Sequence, residues 1–188
     1  MKINVGISNR HVHLNKETLD LLFGKDYKLE IQKELSQKGQ FESKQTVIIK
    51  GPKGQIENVR ILGPVRDYNQ IEISKTDSFK LGVNPPVRNS GDLKNSEKIT
   101  IIGPNATIEL DEGCIIATRH IHITFEELER LGLKNNSTVS IKIGGEKGAI
   151  LDNVYLKASE DATLELHLDT DDANACLISQ GDEVEVLV

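Results

Sequence analysis

The sequence predicts a mainly β protein with short helices, built as two duplicated small β-barrel domains. Many short apolar runs are separated by turn formers along the 188 residues, which is the signature of a small-barrel or sandwich fold. Helix signals are few and brief. Three motifs also occur twice in the same order, and such an internal echo marks a repeated unit.

The elements follow in chain order. Ile3–Ile7 is an apolar run. Asn15 is placed to cap a helix running to Phe23. Val47–Lys50 and Gln55–Leu62 are apolar runs joined by Gly-Pro-Lys-Gly, which predicts a hairpin with a four-residue loop. Ile99–Ile102, Ala106–Leu110 and Cys114–Ala117 are further short strands. Thr124 with Glu127 forms a capping box that opens a helix over Phe125–Leu131. Thr138–Ile143 and Ala149–Leu156 repeat the hairpin pattern, Thr163–Leu168 and Glu183–Val188 are strands, and Asp171–Ile178 is a third helix.

The echoes are specific. Arg10-His-Val-His-Leu-Asn-Lys-Glu-Thr-Leu19 and Arg119-His-Ile-His-Ile-Thr-Phe-Glu-Glu-Leu128 share Arg, both His, Glu and Leu at matching places. Gly51-Pro-Lys-Gly-Gln-Ile-Glu-Asn-Val59 is answered by Gly145-Glu-Lys-Gly-Ala-Ile-Leu-Asp-Asn-Val154, and Gln70-Ile-Glu72-Ile by Glu165-Leu-His167-Leu. Between the copies, Val83–Ser96 is rich in turn formers. The domain boundaries expected on this reading are 1–90 for the first barrel, 91–97 for the linker and 98–188 for the second barrel.

Composition bounds the function. With 37% hydrophobic and 28% charged residues, the chain is of globular type. No apolar run is long enough to cross a bilayer. The start, MKINVGISNR, lacks the apolar core of a secretory signal. The two cysteines, Cys114 and Cys176, form no disulfide framework, so a reducing cytoplasm is expected and both read as small buried hydrophobes. The net charge of −6 argues against nucleic acid as a partner. It is unevenly spread: 17 Lys+Arg stand against 12 Asp+Glu over residues 1–104, and 6 against 17 over 105–188. A basic front half suits an anionic small molecule.

The chemistry lies in the histidines. Of five, His11, His13, His120 and His122 fall in the two His-x-His copies, each following a short apolar run. On a strand, residues i and i+2 share a face, about 6.6 Å apart at ~3.3 Å rise per residue. Two imidazoles so placed can converge on one metal ion. His167, the fifth, occupies the repeat position that Glu72 holds in the first half, and both are polar residues flanked by aliphatics. Each half therefore offers three ligands, His11, His13 and Glu72, then His120, His122 and His167. Three protein ligands with an open position is the catalytic pattern for zinc. Zinc fits such histidine-rich sets best, while ligand type alone leaves iron, cobalt and nickel open. The chain carries no Gly-x-Ser-x-Gly elbow and no glycine-rich phosphate loop.

Taken together, Val5-Gly-Ile-Ser-Asn-Arg-His-Val-His-Leu14, Gly63-Pro-Val-Arg66 with Gln-Ile-Glu72-Ile, Ala117-Thr-Arg-His-Ile-His-Ile123 and Leu166-His-Leu-Asp-Thr-Asp-Asp-Ala-Asn174-Ala resemble the zinc-dependent phosphate acyltransferases. The type member of that family is the phosphate propanoyltransferase of propanediol-degrading bacterial microcompartments. The resemblance covers nearly the whole chain. It implies an acyltransferase that converts a short-chain acyl-CoA, propanoyl or acetyl, plus phosphate into acyl phosphate plus CoA, reversibly. It also implies two barrels with a dinuclear zinc site between them. Carried over, His11, His13 and Glu72 hold one zinc and His120, His122 and His167 the other. Arg66 binds phosphate, and Ser8, Lys53, Arg60 and Asn174 contact coenzyme A. The resemblance further implies a homodimer. Members packaged in microcompartments carry an N-terminal extension ahead of the first motif, so the lumen is the expected location only if such an extension has been removed. The residues by themselves also fit a zinc-dependent thioester hydrolase, or a non-catalytic module in which metal ties the barrels together.

Overall fold

The computed structural model describes residues 1–187. Strands β1 (Lys2–Ser8) and β2 (His11–His13) are followed by helix α1 (Lys16–Phe23), then β3 (Ile31–Glu34), β4 (Phe41–Lys50), β5 (Gln55–Gly63) and β6 (Gln70–Glu72). Helix α2 (Lys75–Leu81) leads to β7 (Val87–Arg88), β8 (Glu97–Ile102), β9 (Thr107–Ala117) and β10 (His120–Ile123). Helix α3 (Phe125–Arg130), β11 (Thr138–Ile143), β12 (Ala149–Ala158), β13 (Glu165–Asp169), helix α4 (Thr170–Cys176) and β14 (Glu183–Leu187) complete the run. The sequence-predicted last strand extends to Val188, which lies outside the described residues. No helix among the described residues is long and apolar enough to cross a membrane.

The chain divides into two compact units. The central unit is Arg10–Ala117, and the terminal unit joins Met1–Asn9 to Thr118–Val188. In the terminal unit six strands close a barrel in the order β1-β13-β10-β12-β11-β14. In the central unit the pairings β4-β5-β2-β6-β9 are closed into a second six-stranded circuit by β8, which bonds to both β4 and β9. Strands β3 and β7 attach outside that circuit, on β4 and β9. Among the described residues, closure pairs each circuit strand on both sides, which removes the open edge that short strands otherwise expose.

The two circuits match strand for strand. β2 runs parallel to β5 and antiparallel to β6, as β10 does to β12 and β13. β9 is parallel to β6 and antiparallel to β8, as β1 is to β13 and β14. Within each barrel alternate residues point inward. Val12, Ile61, Ile71 and Ile101 build the central core, and Val5, Ile121, Ile141 and Leu166 the terminal one.

The repeat in sequence and the barrel in space are out of phase by one strand. β1 precedes the first His-x-His yet pairs in the terminal barrel, and β9 precedes the second yet pairs in the central one. The boundaries expected at 1–90, 91–97 and 98–188 therefore differ from the division of the chain. Residues 91–97 connect β7 to β8 inside the central unit, and the chain changes unit at Asn9/Arg10 and Ala117/Thr118. Repetition in sequence shows that two strands are equivalent, not which barrel hydrogen-bonds each of them.

Local signals explain most elements. The Asn15 side chain accepts from the Thr18 amide, and Leu19 and Leu22 of α1 are fully buried. The box of Thr124 and Glu127 is formed as expected. Just before its closing valine each hairpin echo carries an asparagine with positive φ, Asn58 at 57° and Asn153 at 59°. Each sits where the pairing of the hairpin slips register, the left-handed bulge residue that asparagine tolerates. Helix α2 was not anticipated. Its signal was Ser74-x-x-Asp77, a capping box in which the shorter aspartate replaces glutamate.

Candidate metal centres

Short strands place the six candidate ligands. In β2, Val12 points into the core while His11 and His13 share the opposite face, and all three are buried. In β6, Ile71 points into the core and Glu72 lies directly across from His11. The terminal barrel repeats this: Ile121 and Leu166 face the core, and His120 lies directly across from His167. In each unit one donor atom from each of the three residues lies within 4.8 Å of the others.

In the central cluster the His11 and His13 rings meet edge to face at 5.0 Å between centroids. Glu72 Oε2 is 3.4 Å from His11 Nε2, and Oε1 is 3.9 Å from His13 Nε2. Gln70 steadies the carboxylate by donating to Glu72 Oε1 at 2.6 Å and also donates to Ser90 Oγ at 2.9 Å. Burial pushes the His13 pKa down to about 3, with the neighbouring His11 and Arg66 adding to the fall and Glu72 opposing it. The Leu62 carbonyl also opposes it, although no hydrogen bond of ordinary geometry reaches the buried Nδ1.

In the terminal cluster His120 Nδ1 donates to the Thr118 carbonyl at 2.8 Å. A carbonyl only accepts, so Nδ1 carries a proton, and in the neutral ring Nε2 is then the nitrogen with the free lone pair. That Nε2 lies 3.2 Å from His122 Nε2. His167 Nε2 contacts Glu165 Oε2 at 2.7 Å. Burial lowers the His122 pKa to about 2, reinforced by His120, His167 and Lys157. His13 and His122 are therefore neutral at pH 7, the state in which imidazole ligates a metal.

The donor sets are two imidazoles with a carboxylate, and three imidazoles. Both are sets that zinc uses at catalytic sites, so the residues present fit the ion. Glu165 occupies the repeat position of Gln70, so each third member of a cluster is met by a polar neighbour two residues earlier on its own strand. The match of Gln70-Ile-Glu72 with Glu165-Leu-His167 carries the signal for this pairing, but sequence spacing does not say that the two polar side chains on one strand touch.

Arg66 follows a sharp Gly63-Pro64 turn and joins the central cluster from the loop beyond β5. Its amide donates to the Leu14 carbonyl at 2.9 Å, one residue past His13. Its Nη1 donates to the Tyr68 hydroxyl at 2.8 Å. The fork is half-buried and close enough to His13 to depress its basicity.

The model of the phosphate propanoyltransferase family matches residues 4–179. A phosphate propanoyltransferase of Thermotoga maritima is 51% identical over 98% of this chain and 89% of its own length. The Priestia megaterium enzyme of that name is 51% identical over 96% and 83%, and the Rhodopseudomonas palustris one 41% identical over 98% and 82%. The chain belongs to the phosphate propanoyltransferase family. It is accordingly a transferase.

The remaining residues expected to serve this family's chemistry are distributed as follows. Ser8 ends β1, directly beside Asp169 of β13, and Asn174 is exposed on α4, both in the terminal unit. Lys53 is exposed in the β4–β5 hairpin, its stem packed where Gly82 leaves room at the end of α2. Arg60 lies beside His11 in register but is engaged by Glu42, at 2.7 Å, and by Gln32 Oε1 and the Ser43 and Lys44 carbonyls. Both cysteines are buried as expected, and burial pushes the Cys114 thiol up to about 12.

Proposed function

We propose that this chain is a phosphate acyltransferase that moves a propanoyl or acetyl group reversibly between coenzyme A and inorganic phosphate, with two zinc ions as resident cofactors. One observation carries the reading: two three-donor clusters, each a mix of buried and half-buried side chains, stand at the same place in two matching barrels. His11, His13 and Glu72 would hold one ion, and His120, His122 and His167 the other. Bound there, zinc supplies a Lewis acid for the thioester carbonyl and a soft acceptor for a departing thiolate.

The chain's own residues do the rest. Arg66, oriented by Tyr68, offers a permanently charged planar fork to a phosphate dianion. A phosphate oxygen bonds to the acyl carbon, the carbon–sulfur bond breaks, and the electron pair leaves with sulfur as coenzyme A thiolate. No acyl-enzyme is required. Cys114 is buried and holds its proton, so it supplies no thiolate. Ser8, Lys53, Arg60 and Asn174 complete the reading as coenzyme A contacts. Lys53 and Asn174 are exposed, which supports that role, whereas Arg60 must exchange Glu42 for the anion.

The test follows free thiol released from propanoyl-CoA, acetyl-CoA and longer thioesters, with and without phosphate, alongside metal content. Phosphate-dependent release, one equivalent of acyl phosphate per thiol and two metals per chain are expected. Release without phosphate would establish a thioester hydrolase. In His122→Ala, loss of one metal and of activity with the fold retained is expected. Wholesale unfolding would instead favour the non-catalytic module.

A further inference from the structure

Outside the two clusters, one ion pair occurs in both barrels. Arg10 Nε donates to Asp77 Oδ2 at 2.9 Å, and its Nη2 lies 2.9 Å from Oδ1. Arg119 Nε donates to Asp172 Oδ2 and its Nη2 to Oδ1, both at 2.7 Å. Both pairs are bidentate, the strongest form of arginine–carboxylate contact. Each arginine directly precedes a His-x-His. Each aspartate lies five residues past the third cluster member, Glu72 or His167.

The aspartates are rigidly held. Asp77 is buried within the capping box of α2, where its amide donates to Ser74 Oγ and its Oδ2 accepts from the Ser74 amide. Asp172 stands at the same turn of α4, its amide donating to Asp169 Oδ1. The arginines stand where the chain has just changed unit, at Asn9/Arg10 and Ala117/Thr118. There the preceding strand pairs in one barrel and the His-x-His strand in the other. β2 and β10 are only three and four residues long. The ligand Glu72 or His167 runs within two residues into the capping residue of α2 or α4. Each ion pair thus ties the His-x-His segment to the segment bearing the third donor. The arginine is retained in both copies of a repeat that has otherwise diverged widely.

We propose that Arg10 and Arg119 are positioning residues, each setting the metal affinity of its own cluster by locking the His-x-His strand to the helix that follows the third ligand. This rests on the reading of the clusters as metal sites. Outer partners that orient metal ligands typically contribute 10–100-fold in affinity.

The experiment titrates full-length, metal-stripped protein with Co2+ and reads the visible bands of the bound ion. Wild type should bind two equivalents. Arg10→Lys, which keeps the charge but loses the fork, should weaken one site about 10–100-fold. Arg119→Lys should weaken the other. His13→Ala and His122→Ala assign the bands to the central and terminal clusters. Asp77→Asn, which preserves the helix cap, should reproduce Arg10→Lys even if the lysine variants fold poorly. Wild type that binds no cobalt would overturn the metal reading itself. Wild type that binds two, with variants matching it in affinity and spectrum or weakening both sites alike, would overturn the positioning role while leaving that reading intact.

Discussion

Acidifying the metal-free protein from pH 7 to pH 5 is expected to destabilise each barrel by about 2 kcal/mol through a single histidine. His13 in the central unit and His122 in the terminal unit are buried, with pKa values lowered from 6.5 to about 3 and about 2. A native pKa below the unfolded one means that the unfolded chain binds the proton first. The contribution of the neutral imidazole is fully present above pH 6.5. It is lost as the pH falls below that value, until the native group itself titrates near pH 3 or below. At pH 5 the unfolded histidine is protonated about 30 to 1, which is roughly 2 kcal/mol per group, or about 4 kcal/mol if the barrels unfold together. Urea denaturation of chelator-treated protein at pH 7, 6 and 5 measures it, with His13→Asn and His122→Asn as references. Each variant should lose its share of the pH dependence while the other share remains. A wild-type slope equal to that of the double variant would refute the assignment of buried, neutral imidazoles.

Three further outcomes are expected. A methyl group added at Gly6 would meet Glu165 Cδ and Oε2 at 3.0 Å and His167 Cδ2 at 3.1 Å, so Gly6→Ala should cost about 1–3 kcal/mol by overpacking. It should also weaken metal binding at the terminal cluster alone, read by thermal unfolding and cobalt titration. Arg66→Lys removes bidentate donation and should lower kcat/KM for phosphate about 10–100-fold, the equivalent of ~1.5–3 kcal/mol for charge-assisted bonds. Steady-state kinetics with varied phosphate checks it, and an unchanged KM and kcat would exclude Arg66 from the phosphate site. Glu165→Gln keeps the size of the side chain but loses the carboxylate facing His167, and should weaken metal at the terminal cluster about 10–100-fold in a chelator competition assay. Affinity equal to wild type would mean that Glu165 does not orient its neighbour.

The candidate site was largely legible because its signals are local. His-x-His on a strand needs only the two-residue period to place both rings on one face, and Glu72 and His167 stood out as polar residues between aliphatics. The helix cap at Asn15 and the capping box at Thr124 were readable for the same reason. The arginine struts were half visible. Arg10 and Arg119 were identical in the repeat, but their partners Asp77 and Asp172 lie 67 and 53 residues away. No spacing rule links them. Gly6 carried no signal, since the need for a missing side chain depends on what packs above it.

From its residues alone the chain prescribed β strands, a doubled architecture and the six donors, because periodicity, turn chemistry and repetition are properties of neighbouring positions. Folding alone settled where one barrel ends and the other begins. β1 and β9 each lead into the His-x-His of one repeat in sequence but complete the opposite circuit in space, since a strand is claimed by the hydrogen-bonding edges left open to it. Backbone edges are identical from residue to residue, so no side-chain pattern announces which partner an edge will find.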